Sequence, residues 1–95
     1  MKLNVSSKAA KWYKDEFGAS DGTPIRFFVR YGGFNQLQKG FSLGVISDEP
    51  MDAAVTTESG GLLFYIEEKD LWYFDGKDVE VELDEQRQEP VFLYH

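Results

Sequence analysis

The side chains that can exchange protons, attack or ligate are unevenly supplied in this chain. There is no cysteine, and the single histidine is His95, the last of 95 residues. Thiol catalysis, disulfides and thiolate metal ligands are therefore excluded together. A Ser or Thr nucleophile needs a base held within hydrogen-bond reach, and a histidine on a fraying terminus is a poor positioning device. No Gly-x-x-x-x-Gly-Lys-Ser/Thr run occurs, and the pairs Gly32-Gly33 and Gly60-Gly61 lack phosphate-loop spacing. Nothing here supports an enzyme.

Carboxylates are plentiful. Glu67, Glu68 and Asp70 fall together, and Asp75 and Asp78 flank Gly76. Such oxygen clusters can hold Ca²⁺ or Mg²⁺, but no EF-hand spacing backs that use. Acidic residues in a helix's first turn complement its dipole, and Asp-Gly is ordinary turn chemistry. Arg26 and Arg30 share a strand face with Phe28 between them, and Lys39 follows in a loop. A local basic face in an acidic chain can receive an acidic partner. The commoner arrangement is a solvated face whose long stems cover Phe28. Trp12 and Tyr13, at helical spacing, are expected in the core before any ligand-stacking role.

The elements that would position these groups follow from hydrophobic period. "LNVS" (Leu3 to Ser6) reads as a short strand. From Ser7, the residues Ala9, Trp12, Tyr13 and Phe17 recur at i, i+3, i+4 and i+8, one face of a helix. Ser6 or Ser7 can cap its start, and Gly18 suits a left-handed end. "PIRFFVRY" alternates Ile25, Phe27, Val29 and Tyr31 inward against Arg26, Phe28 and Arg30. Further strands are expected over Phe41 to Ser47, Ala53 to Thr57, Leu62 to Ile66, Val79 to Leu83 and Pro90 to Tyr94. "EEKDLWYF" (Glu67 to Phe74) reads as one or two helical turns, ended by Asp75-Gly76. One mainly β, α+β domain spanning residues 1–95 is the expectation.

Composition narrows the partners. The net charge is −7 with acidic residues spread along the chain, which disfavours nucleic acid and anionic membranes. The aromatic fraction of 16% argues for an ordered core. No apolar run approaches the roughly 18 residues of a membrane span. The opening "MKLNVSSKAA" lacks a signal peptide's apolar region, so a cytoplasmic protein is expected.

Read in order, the pieces resemble the HesB-like family, the A-type iron–sulfur carriers and their relatives, from Leu3 to Tyr94. "VSSKAAKWYKDEF" looks like the family's opening, and "IRFFVRYGG" like the strand leading into its first ligand loop. "SDEP" resembles the acidic turn that ends the next strand. "LLFYIEEKDLWYFDGKDVEVEL" is similar to its strand, short acidic helix, aromatic-Asp-Gly turn and strand. "EPVFLYH" resembles the strand before the carriers' C-terminal tail. The resemblance implies a pseudobarrel of mixed β-sheet with an N-terminal helix and a short helix packed against it, and it allows a homodimer.

The departures bear on function. In the carriers a cysteine follows the glycine of the first loop, where this chain has Phe34, and a cysteine pair follows the last strand, where it ends at His95. No ligand residue transfers, and no cofactor is expected. The reading is a non-enzymatic binding or adaptor module without a cluster. Its contact loop would comprise Gly32, Gly33, Phe34, Asn35, Gln36 and Lys39, and its partner would be a protein, with the iron–sulfur assembly machinery as one candidate. Phe34 either anchors a partner or plugs the space of a lost ligand group. The alternative is iron held by oxygen and nitrogen donors near His95.

Overall fold

Each predicted period becomes the expected element in the computed structural model, which describes residues 1–33 and 37–95. The order is β1 (Leu3–Val5), α1 (Ser7–Phe17), β2 (Pro24–Tyr31), β3 (Phe41–Ser47), β4 (Ala53–Ser59) and β5 (Leu62–Glu67). A 3-10 helix (Glu68–Phe74), β6 (Val79–Asp84) and β7 (Glu89–Tyr94) complete the chain. The architecture is mainly β, α+β, as expected, in two mixed sheets. One has the order β1-β6-β7 and the other β3-β2-β5-β4. β1 runs parallel to β6, and β2 parallel to β5; the remaining pairs are antiparallel. The edges of β1 and β4 are tied where Ser59 Oγ donates to the Val5 carbonyl at 2.7 Å.

α1 begins where Ser6 Oγ accepts from the Ala9 N–H at 3.1 Å and ends at Gly18 in the left-handed region. It buries Ala9, Ala10 and Tyr13. The Tyr13 ring meets Phe27 and Phe64 edge-on, both centroids at 5.7 Å, while Phe27 stacks on Phe64 at 5.6 Å. These rings, with Leu3, Ile25, Leu62, Ile66, Val79 and Val81, make the core between the sheets. Trp12 packs only partly against it and donates its indole N–H to the Gln88 carbonyl at 2.8 Å.

Three expectations are corrected. Tyr31, expected to face inward, is 92% exposed, because β2 runs two residues beyond the edge of the core. Glu67 closes β5 rather than opening the short helix, and its carboxylate accepts the N–H groups of Met51 and Asp52 at 2.8 and 2.7 Å. It ties down the β3–β4 turn instead of complementing a helix dipole. Arg26, expected on a solvated face, is largely withdrawn from solvent and ion-paired to Asp70 at 2.9 Å. The covering of Phe28 does hold, with the Arg26 guanidinium 5.6 Å above that ring. Among the described residues, no helix is long and apolar enough to cross a membrane.

Candidate binding surface

The glycines that end β2 prepare a sharp departure of the chain. Gly32 and Gly33 have φ of +93° and +78°, a region that L side chains rarely adopt. A Cβ at Gly33 would also stand 2.6 Å from Ser42 Oγ, so this glycine serves close approach as well as the turn. The loop closes where the Gly32 N–H donates to the Gly40 carbonyl at 2.7 Å. Of the expected contact residues, Gly32, Gly33 and the exposed Lys39 stand at this base. Phe34, Asn35 and Gln36 lie outside the described residues.

Two contacts tie the returning arm of the loop to the body. Gln38 Nε2 donates to the Tyr73 carbonyl at 3.3 Å, and Leu37 packs against the core. Leu37 also borders an open cleft of about 490 Å³ together with Lys77, Phe92, Tyr94 and His95. The returning arm of the glycine loop and the end of β7 thus flank one hollow. His95 is fixed through its backbone N–H on the Asp78 carbonyl at 2.9 Å, and its Nε2 stands 3.6 Å from Glu80.

A strip of rings starts at the loop base. Tyr31 meets Phe41 at 5.8 Å between centroids, Phe41 meets Trp72 at 5.1 Å, and Trp72 meets Tyr73 at 6.0 Å, all edge-on. Tyr31 is 92% exposed and Trp72 52%, while Tyr73 is fully buried. Burial pushes the Tyr73 phenol up to about 12, so it stays neutral at any physiological pH. Exposed, mutually braced rings beside a glycine loop resemble the aromatic anchors of protein interfaces. The strip has no signature in the residue order, because Tyr31, Phe41 and Trp72 come from three separate elements. Trp72 alone carried a signal, since adjacent residues of a short helix cannot both face the core.

Two of the clustered carboxylates, Glu67 and Asp70, are by contrast buried and used internally. Glu67 is held below the ordinary carboxylate range first by the Met51 N–H, with Asp52 and Arg26 adding to it against its own burial. Asp70 is bound to Arg26. Among the described residues, no three His, Asp or Glu side chains are grouped to hold a metal ion.

Comparison with known proteins places the chain. The model of the family described as "Iron-sulphur cluster biosynthesis" matches residues 1–92. The chain belongs to this HesB-like family. Within it, the chain is 51% identical over 94 residues to a Bacillus subtilis protein named "Pyruvate dehydrogenase inhibitor", covering 99% of each. It is 36% identical to an uncharacterized protein of Staphylococcus saprophyticus over 90% of each chain, and 34% identical to one of Staphylococcus aureus over 94% of each. The family's cluster does not fit the donors present here. Iron–sulfur clusters are held by thiolates, these 95 residues contain none, and the residue after Gly33 is Phe34. What the described residues present at that end is a glycine-shaped backbone and an aromatic surface.

Proposed function

We propose that the protein is a non-catalytic regulator that binds a protein partner through the glycine-loop end of the fold, and that the partner is a pyruvate dehydrogenase. The observation that carries this reading is the 51% identity, over 99% of both chains, with the relative named for inhibiting that enzyme. The surface supports it. The Tyr31–Phe41–Trp72 strip supplies rigid apolar area with little rotamer freedom to lose, and it starts beside the loop base that the Gly32–Gly40 hydrogen bond closes. Exposed Arg30 and Lys39 give this end cations in a chain of net charge −7. The inhibited state would be a stoichiometric complex in the cytoplasm, with no bond made or broken by this chain. Gly32 and Gly33 shape the base of the loop, while Tyr31 and Trp72 supply contact.

The test is a titration of pyruvate dehydrogenase activity with the purified protein. Inhibition should saturate at a fixed stoichiometry. The double variant Tyr31→Ser/Trp72→Ser should need at least about tenfold more protein for the same inhibition, as expected on loss of an aromatic anchor. An enzyme that stays fully active, and does not co-elute with the protein at large excess, would overturn the reading.

A further inference from the structure

The two sheets leave four edges, and three are blunted. β1 is three residues long, and the Ser59 bond ties it to β4. β4 carries Glu58 and a register shift between Ala53 and Val55. β7 opens with Glu89 and Pro90. β3 has none of these devices. Its seven residues, "FSLGVIS", include no charge and no proline, and they pair with β2 along their whole length while, among the described residues, no strand pairs on the other side. An uncharged, unpaired edge of this length is a template for another strand.

The sequence around β3 indicates which strand. Centred on Gly44, residues 39–49 read "KGFSLGVISDE", with Lys39 five places before the centre and Glu49 five places after. Antiparallel pairing of two such edges about a two-fold axis at Gly44 sets Leu43 against Val45 of the partner subunit, and Ser42 against Ile46 of the partner subunit. Two residues past the strand ends, Lys39 comes opposite Glu49 of the partner subunit, and the symmetry repeats this pair. Both residues are exposed, and among the described residues neither forms an ion pair. At the axis, Gly44 keeps the surface shallow because Phe28 and Arg30 already lie over it. A Cβ there would meet the Phe28 ring at 2.5 Å and the Arg30 stem at 2.7 Å. The neighbouring Ile46 side chain, 44% exposed, would gain cover. An isologous contact requires such self-complementarity.

We infer that the β3 edge is a self-association surface, joining two copies into one continuous eight-stranded sheet with charge pairs Lys39–Glu49 at both ends. The inference rests on the strand edge alone and is independent of the regulatory reading.

The test is sedimentation equilibrium of the full chain and two variants, with circular dichroism to confirm folding. The parent should approach twice the 10.9 kDa of one chain. Lys39→Glu puts like charges opposite one another at both ends and should weaken the dimer at least about tenfold, the scale of two close charge pairs. Lys39→Glu/Glu49→Lys restores opposite charges and should return the parent's dissociation constant to within about threefold, since the pairing is only reversed. Ser42→Lys/Ile46→Lys, which places two lysines together on each side of the axis, should leave monomer. A parent that stays monomeric throughout, variants that associate as tightly as the parent, or a charge reversal that fails to restore the dimer would each overturn the inference.

Discussion

The two ends of β2 show how one strand serves two purposes. At its start, Ile25 and Phe27 are fully buried, and Phe27 is ringed by Tyr13, Phe64 and Phe92. At its finish, Arg30 and Tyr31 stand in solvent and lead into two left-handed glycines. The first end is specified by packing, where each ring has partners on several sides and a lost side chain leaves a void. The second end is specified by backbone, through glycine conformation and one closing hydrogen bond, with rings braced edge-to-edge but open outward. The contrast shows where stability resides in this molecule and where change can occur without unfolding it. In the family's cluster-carrying members this end would present a thiolate, and a chain with Phe34 there can keep the rest of the fold.

Truncation at the two ends should separate the two roles most strongly. Phe27→Ala should destabilise by roughly 3–5 kcal/mol, the usual loss for a buried ring. Trp72→Ala should cost less than about 1.5 kcal/mol because half its surface is already in water. Urea unfolding of both variants checks this, and equal losses would remove the distinction. The next effect lies on the other face of β2. Arg26→Met strands the Asp70 carboxylate, 9% exposed, without its partner and should cost about 3 kcal/mol. Adding Asp70→Leu should recover most of that loss, and a double variant as unstable as the single would show that the ion pair is not what Arg26 contributes.

Glu67 gives a pH-dependent prediction. Its folded carboxyl titrates below its ordinary 4.5 because the Met51 N–H, and then the Asp52 N–H, favour the charged form. A depressed folded value stabilises the protein above the unfolded value, and that stability is lost as pH falls through the folded one. Glu67→Gln should therefore lower Tm at pH 7, and the gap to the parent should close progressively as pH falls below 4.5 and through the lower folded value. A gap unchanged across that range would mean the turn is held by shape alone. The smallest effect belongs to Tyr73, whose buried hydroxyl has no hydrogen-bond partner among the described residues. Tyr73→Phe removes an unsatisfied polar atom and should stabilise by about 1 kcal/mol in thermal unfolding. A loss of that size would instead show that the hydroxyl is bonded in solution.

Most of the fold was legible in residue order. Period-two strands such as Val79–Val81 and the i, i+3, i+4 face of α1 obey short-range rules, and the caps Ser6 and Gly18 mark their helix as those rules expect. The misplacements all concern long-range partners. Arg26 finds Asp70 forty-four residues away, Glu67 finds a turn fifteen and sixteen residues away, and Tyr31 outruns a core whose width no local pattern encodes. The loop base was legible because a Gly-Gly pair has few other uses at a strand end. The Tyr31–Phe41–Trp72 strip was not, because it assembles rings from three elements.

The central claim is that this family member works without a cluster, and anaerobic reconstitution followed by inhibition of pyruvate dehydrogenase tests it most directly. Protein incubated with Fe²⁺ and sulfide, then desalted, should be colourless, carry no stoichiometric iron or sulfide, and inhibit no better than untreated protein. Stoichiometric iron and sulfide with visible charge-transfer bands, or inhibition that appears only after reconstitution, would contradict it.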